Sequence, residues 1–575
     1  MPADPSSLPA PAHITVPPSR GSGAVQAATA LLRALSGLGV GDLVLAPGSR
    51  SAPLVYALED EQVATGLRAH VRIDERSAAF TALGISRWDP SRPAAVATTS
   101  GTATAHLHAA VMEAHHARVP LLVLTADRPA ELRGTGANQT TDQVGLFGGA
   151  VRLAVDLPAP GGGAASPAEL RTMVSTAARA VAAARGDHPG PVHLNLGFRD
   201  PLVPAEHGRD QGTGERIVLT HRVAPPAPTP VSLPLDARTV IVAGDGAGPA
   251  ARELAAAHRL PLLAEPSSGA RDGDTLVPAA PQLLAAVMAD PSHPLRPRRA
   301  VVHGHPTLQR AVVSGLLGAE DVEVIVVDPQ PDYPDAARRA RLVVPALTAP
   351  GPDAAGAAAR EEHLAAWREA GAEAATARED LPWQAQAALA VWEAAGEGDV
   401  LVLGSSSLVR DLDRHAGPTA ARVIANRGLA GIDGTTSMAG GVALARAASG
   451  DGPRRVRLLC GDLTALHDLT GLLVGPAEEQ PALDVVVVDD DGGRIFAGLE
   501  HAAAPAPLLR RFFTTPHGAD IAAVAAALGA SAERTTAARL PALLEEPASA
   551  AGIRVLLVQE APSALPGNVT EERIH

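Results

Sequence analysis

The sequence predicts an α/β protein made of three doubly wound units, each built on a parallel sheet. Short β-branched runs alternate with Ala-rich stretches of helical length along the chain, which is the pattern of βαβ units. The chain has 575 residues, well beyond the roughly 250–300 at which one hydrophobic core stops growing. The runs also group into three series of similar size.

The first series lies between Gly21 and Val203 and reads GDLVLAPGS, HVRID, AAVATTSG, VPLLVLTAD and PVHLNLGF. Continuous apolar runs of this kind suit strands covered on both faces. The stretch EHGRDQGTGER and the Pro-rich VAPPAPTPVSLPLD beyond it read as a linker, since Pro, Gly and polar residues punctuate both periodicities. The second series runs through RTVIVAGDGAG, RLPLLAE, RAVVHGH, VEVIVVDP and RLVVPA and ends in a helical region around Arg360 to Ala395. The third comprises DVLVLGSSS, ARVIANRG, RRVRLLCGD, LDVVVVDDDGG and IRVLLVQEA. Domains over residues 21–205, 230–375 and 385–575 are expected. No short repeat is visible, and the first and third units are candidates for related folds with diverged sequences.

Apolar residues make up 46% and charged residues 19%, the profile of a soluble globular protein. A net charge of −14 disfavours nucleic acid as a partner, because phosphate binding needs a basic face. Cys460 is the only cysteine, which excludes a disulfide framework and fits a reducing cytoplasm. The N-terminal MPADPSSLPAPAHITVPPSR has no basic region followed by an apolar run and is not a signal peptide. No stretch of about 18 apolar residues suits a membrane span.

Lysine is absent, so all 48 basic side chains are arginines. There is then no Schiff base to pyridoxal phosphate, no Walker-A lysine and no lysine nucleophile. Arg binds carboxylates and phosphates through a planar fork but is a poor proton shuttle. Proton chemistry must come from Glu, Asp, His or a cofactor.

Three segments carry candidate chemistry. In HVRIDERSAAFTALGIS an apolar strand delivers Asp74 and Glu75 to a helix start. Partial burial there raises a Glu pKa and lets it hold a proton near neutrality, although a first-turn glutamate is also favoured by the helix dipole alone. In VRLLCGDLTALHD and LDVVVVDDDGGRIF two hydrophobic strands end in acid and Gly, with Asp462 and Asp490 separated by 28 positions. Neighbouring strand ends of this kind present hard oxygen ligands, plus the Gly492 carbonyl, to a Mg²⁺ that also grips a diphosphate; an acidic turn and a helix N-cap is the plainer reading. The third segment, VIANRGLAGIDGTTSMAGGVALA, is a Gly-rich loop suited to close ligand approach, and helix packing alone does not explain its Asn426, Arg427 and Ile432. Two other segments are set aside. AGDGAGPAARE lacks the spacing and acidic partner of a dinucleotide loop, and His106 and His108 fall on different helix faces.

The motifs PGSRSAPL, RIDERSAAFTALG, TTSGTA, LTADRPAELRGTGANQTTDQ, HLNLGFRDPL and NRGLAGIDG occur in register over nearly the whole chain. Together they resemble the 2-succinyl-5-enolpyruvyl-6-hydroxy-3-cyclohexene-1-carboxylate synthase family, the menaquinone-pathway branch of the thiamine-diphosphate-dependent enzymes. The resemblance implies pyrimidine-binding, central Rossmann-like and diphosphate-binding domains. It implies thiamine diphosphate and Mg²⁺ or Mn²⁺ as cofactors, and decarboxylation of 2-oxoglutarate with addition of the succinyl carbanion to isochorismate. It further implies a homodimer or dimer of dimers, with each site shared between the first domain of one subunit and the third of another.

Residue by residue, the resemblance makes Glu75 the partner of the aminopyrimidine ring and Ile432 the apolar wedge that bends the cofactor. Ser407, Gly461, Asp462, Leu463, Ile495 and Phe496 also match cofactor positions, and Asp462, Asp490 and Gly492 match the metal site. DDD stands at 489–491 where the family commonly has Asn-rich runs, which leaves open whether Asp489, Asp490 or Asp491 is the ligand. Ser49, Arg50, Arg128, Asn138 and Gln139 match the substrate wall of the first domain. Arg410 and Arg427 match that of the third, although SSSLVRDLD is shorter than in some relatives. The alternatives are another thiamine-diphosphate decarboxylase or acetolactate-synthase-like carboligase, which would not need PGSR with GANQT, and a non-catalytic protein of the same fold, which would have a damaged Glu75 or metal site.

Overall fold

Apolar runs with no polar face become the inner strands of three parallel sheets. A computed structural model describes residues 12–205, 214–223, 226–450, 455–545 and 552–560. The first unit contains β1 (Ala12–Val16), β2 (Asp42–Leu45), β3 (Arg68–Val71), β4 (Ala94–Thr98), β5 (Leu121–Asp127), β6 (Leu153–Leu157), β7 (Pro191–Gly197) and β8 (Glu215–Leu219). Its sheet has the order β3-β2-β4-β5-β7-β6, with all pairs parallel. β4, β5 and β7 are buried along their whole length, as strands covered by helices on both faces must be.

β1 and β8 pair antiparallel as a separate ribbon. They feed Ile14, Val16, Ile217 and Leu219 into the core beside the helices Gly23–Gly37 and Pro167–Ala184. The expected linker is thus corrected: Glu215 and Arg216 already belong to a strand, because alternate residues of ERIVL have an apolar face to cover. Residues 206–213 of that stretch and 1–11 of the N-terminus lie outside the described residues.

The central unit holds β9 (Val231–Ser232), β10 (Thr239–Ala243), β11 (Leu262–Ala264), β12 (Arg299–His303), β13 (Glu323–Val327), β14 (Ala340–Val344) and β15 (Leu347–Thr348). Its parallel sheet runs β11-β10-β12-β13-β14, and the helix Ala354–Glu373 buries Trp367 completely in its core. The third unit has β16 (Val400–Leu403), β17 (Arg422–Ala425), β18 (Val456–Gly461), β19 (Ala482–Val488), β20 (Ser531–Thr535) and β21 (Gly552–Val558), in the order β17-β16-β18-β19-β21-β20. Counted from its own first strand, this is the permutation of the first unit. The helix Trp383–Glu393 packs on this sheet, with Ala388, Val391 and Trp392 in one cluster with Leu401 and Leu403. Among the described residues no helix is long and apolar enough to cross a membrane.

In open α/β sheets ligands bind outside the carboxyl ends of the strands, where the strand order reverses. In the first unit that point lies between β2 and β4, which lead into PGSRS and TTSG; in the third it lies between β16 and β18, which lead into GSSS and GD. The two units meet through the helices Glu75–Trp88 and Thr435–Ser449, whose side chains share one core. Gly84 and Gly441 make that approach possible. A β-carbon on Gly84 would lie 2.0 Å from the carbonyl oxygen of Met438, and one on Gly441 would lie 2.1 Å from that of Thr81.

Gly84→Val places two methyl groups where backbone already stands, so the helices must separate. Overpacking of this kind costs about 1–3 kcal/mol. The urea midpoint of the variant is expected to fall, and an unchanged midpoint would show that the helices do not touch here.

Candidate active site

Each of the two matched switch points carries one wall of polar side chains. In the first unit, Ser49 is exposed and Arg50 half-buried just beyond β2. Arg50 donates to the Phe198 carbonyl (3.0 Å) and faces Asp200 at 3.7 Å. Arg128 follows β5; it donates to Ser100 Oγ and to the Asn138 carbonyl (2.9 Å). Gln139 has a positive φ of 55°, and its amide donates to the Ser100 carbonyl at 2.9 Å. Arg50, Arg128, Asn138 and Gln139 are therefore brought together. Burial, then the charge of Arg128, lowers the Arg50 pKa. A guanidinium whose charge is disfavoured by burial and by a second guanidinium nearby suits an anion.

Glu75 is half-buried and opens its helix. Asp74, before it, is the N-cap: its Oδ1 accepts from the backbone N–H of Arg76 (2.8 Å) and Ser77 (3.4 Å). Burial works against the Asp74 charge, but the hydrogen bond from Thr470 (2.7 Å) and those two N–H groups hold its carboxyl below the usual range. Arg76 also donates to the His467 carbonyl at 2.8 Å. The start of the Glu75 helix is thus tied to the segment just after Asp462.

The third unit sets four charged positions across adjacent strands. Ser406 has a φ of 114°, and its carbonyl accepts from Arg410 at 2.8 Å, which fixes the turn that leads into the helix starting at Ser407. Burial, followed by the charges of Arg427 and Arg414, lowers the Arg410 pKa. Arg427 is 3% exposed and donates to Thr307 Oγ1 of the central unit. Its Nε, and both polar side-chain atoms of Asn426, are buried without a hydrogen-bond partner among the described residues. Ile432 is half-buried two positions before Gly434, where the helix Thr435–Ser449 begins.

Asp462 is 2% exposed at the start of the helix that follows Gly461. Its carboxylate accepts from the N–H of Leu463 (2.6 Å) and of Gly492 (2.7 Å) and meets His517 Nε2 at 3.2 Å. His517 Nδ1 accepts from the Ala519 N–H (2.9 Å), so Nε2 carries the proton and donates to Asp462. Asp462, Asp489 and His517 form one tight group. Asp490 faces Arg494 (3.1 Å) and Gln384 (3.3 Å), while Asp491 accepts from the N–H groups of His517 and Gly518, both at 3.0 Å. Burial, and then the charge of Asp462, pushes the Asp490 pKa up to about 6. Asp462 is raised as well, by burial first and by Asp489. Buried oxygen donors that disfavour one another's charge fit a hard divalent cation.

A cavity of about 1050 Å³ joins Ser407, Arg410, Arg494 and Ile495 of the third unit to Gln309 and Arg310 of the central one, and among the described residues none of the first unit lies in its wall. Phe496 packs on Phe513, with ring centroids 5.9 Å apart. The two walls of predicted substrate residues therefore do not meet in that cavity. Arg310 and His517 were invisible to sequence reasoning, because nothing near either in the chain marks its partner.

Paired switch points, with acid at the ends of one strand pair and a glutamate opening a helix, fit the class of thiamine-diphosphate-dependent enzymes, and the comparisons with known proteins place the chain in that class. Residues 25–146 match the family model for the N-terminal TPP binding domain of thiamine pyrophosphate enzymes. The chain is 48% identical to a 2-succinyl-5-enolpyruvyl-6-hydroxy-3-cyclohexene-1-carboxylate synthase of Kineococcus radiotolerans, over 92% of this chain and 94% of that protein. It is 44% identical to proteins of the same name from Arthrobacter sp. (strain FB24), over 92% and 88%, and from Thermobifida fusca, over 87% and 90%. The chain belongs to this synthase family.

A cation bound by Asp490 must displace its proton. Mn²⁺ affinity, measured by calorimetry, is expected to weaken as pH falls below about 6 and to level off above it. Affinity independent of pH across that range would remove Asp490 from the site.

Proposed function

We propose that this chain is a thiamine-diphosphate- and Mg²⁺-dependent synthase of menaquinone biosynthesis. It decarboxylates 2-oxoglutarate and adds the remaining four-carbon unit to isochorismate, giving 2-succinyl-5-enolpyruvyl-6-hydroxy-3-cyclohexene-1-carboxylate. The observation that carries this reading is the order of charge across one sheet. The adjacent strands β17, β16, β18 and β19 lead in turn to Arg427, Arg410, Asp462 and Asp490. One half of the sheet edge suits a metal and diphosphate, the other the carboxylates of two dianionic substrates.

Thiamine diphosphate, when bound, supplies the electron sink that decarboxylation of a 2-oxo acid requires. The chain's own residues hold and orient. Asp462, Asp490 and the Gly492 carbonyl are the proposed metal ligands, with Ser407, Gly461, Leu463, Ile495 and Phe496 against the cofactor and Ile432 as its wedge. Glu75 is the proposed hydrogen-bond partner of the pyrimidine ring, a role that its half-buried place at a helix start supports. Ser49, Arg50, Arg128, Asn138 and Gln139 form one substrate wall, and Arg410 and Arg427 the other. That no described first-unit side chain lines the Arg410 cavity supports a homodimer, or a dimer of dimers, whose partner subunit supplies the missing wall. A single buried cysteine fits a cytoplasmic setting.

Mass spectrometry of the product from 2-oxoglutarate and isochorismate, with both cofactors present, tests the reading. Turnover of pyruvate in preference to 2-oxoglutarate would favour an acetolactate-synthase-like reaction instead. Glu75→Gln keeps the size but not the exchangeable carboxyl proton, so kcat is expected to fall by roughly 10²- to 10⁴-fold with little change in thermal midpoint. A wild-type kcat would remove Glu75 from proton transfer.

Arg427→Ala and Arg50→Ala each remove a charge-assisted contact that is usually worth about 1.5–3 kcal/mol. A loss of about ten- to a hundredfold in kcat/KM for a dicarboxylate is expected, with thiamine-diphosphate affinity little changed and only partial rescue by Lys. Loss of cofactor binding with unchanged substrate discrimination would instead assign these arginines to the diphosphate.

A further inference from the structure

The loop beyond β12 runs from Gly304 to Arg310 along the seam between the central and third units and touches both arginines of the third-unit wall. Thr307 Oγ1 accepts from Arg427, and Gln309 Nε2 donates to the Arg410 carbonyl at 3.5 Å. Glu265, the residue just after β11, holds this loop in place. Its Oε1 accepts from the backbone N–H of Thr307 (2.7 Å) and of Leu308 (2.8 Å). Its Oε2 is buried and has no hydrogen-bond partner among the described residues.

Glu265 is 5% exposed and shares the seam with Asp413, Arg271 and Arg427. Arg271 lies 3.5 Å from Asp413. Burial, with the Asp413 charge behind it, pushes the Glu265 pKa up, against the pull of the two N–H groups and of Arg427. A carboxyl this deep is destabilising unless something compensates it. It persists where a turn must be pinned without a backbone partner of its own.

We propose that Glu265 is a positioning residue for substrate binding: through the Thr307–Leu308 turn it fixes the plane of the Arg427 guanidinium, and so aims that fork at a substrate carboxylate. This rests on the reading of Arg427 as a substrate residue. A fork binds a carboxylate bidentately only in one orientation. With one terminal nitrogen held by Thr307, the remaining donors of Arg427 are pre-set. Arg410 carries no such side-chain tie to the loop, so the effect is centred on Arg427.

Steady-state kinetics of the holoenzyme with each acid varied in turn tests this on Glu265→Ala, Glu265→Gln, Thr307→Val, Arg427→Ala and the double variant Glu265→Ala/Arg427→Ala. Glu265→Ala and Thr307→Val are each expected to raise KM for one dicarboxylate about tenfold, with kcat within about threefold of wild type. Thiamine-diphosphate affinity in the presence of Mg²⁺, read by tryptophan fluorescence, is expected to stay at the wild-type value. Glu265→Gln keeps an acceptor for the two N–H groups and is expected to restore KM to within about threefold. In the double variant KM is expected to match that of Arg427→Ala alone, because residues that act through one another are not additive.

A raised KM in Arg427→Ala, with wild-type KM in both Thr307→Val and Glu265→Ala, overturns the positioning role, as does an additive double variant. Should Glu265→Ala not fold, Thr307→Val and Glu265→Gln decide the matter. If Arg427→Ala itself leaves KM for both acids unchanged, it is the substrate reading of Arg427 that fails.

Discussion

The contact of Gly84 with the Met438 backbone, and of Gly441 with that of Thr81, is the constraint on which the rest of the molecule depends. Helices that meet backbone to backbone leave no room for adjustment, since packed interiors do not deform continuously. The helix that begins at Glu75 and the helix that follows the Ile432 loop are thereby locked into one core. Their N-terminal ends fix where the glutamate and the Gly-rich loop stand. The hydroxyl pair Ser77–Thr470, 2.8 Å apart, and the Thr470–Asp74 bond extend the same lock toward Asp462. Chemistry placed at helix ends inherits the rigidity of the helix pair.

A chain without lysine must do its interior electrostatics with arginine, and the seams show how. Arg271 is buried between the central and third units and donates to the carbonyls of Ala264, Leu412, Asp413, Ala416 and Gly417. An ammonium has three donors on one atom and cannot spread over five acceptors; a planar guanidinium can. Arg152 uses the same reach to join Pro189 and His115. Guanidinium forks thus serve as joints between elements, Arg427 included, which ties the third unit to Thr307 of the central one.

The inner strands, buried on both faces, are legible as unbroken apolar runs, and the edge strands β3, β14 and β17 are legible too despite their partial exposure. β6 alternates between half-buried and exposed, and β20 is exposed along nearly all its length. Both went unread, and both occupy the same outermost place in their sheets. β1 and β8 escaped for another reason: each is half-covered and finds its partner some 200 residues away. The places of Glu75 at a helix start, of Asp462 beyond a strand end and of the NRGLAGIDG loop before a helix were legible, since strand ends and glycines announce them. His517, Arg310 and Glu265 were not, because what each does is set by a loop from elsewhere in the fold.

The run Asp489–Asp491 shows how extra negative charge is tolerated beside an acidic site. Like charges in low dielectric repel strongly, and three successive carboxylates sharing one environment would be costly. They do not share one. Asp489 accepts from Gln559 at 2.8 Å, Asp490 turns to Arg494, and Asp491, with a φ of 58°, swings out to cap the N–H groups of His517 and Gly518. Those N–H groups, Gly518 first, lower the Asp491 pKa, so its charge is compensated by backbone and adds little at the strand ends. By capping that turn, Asp491 also seats the histidine that donates to Asp462. Asp491 therefore has a structural use here, and the carboxylates left to face one another are those of Asp462, Asp489 and Asp490.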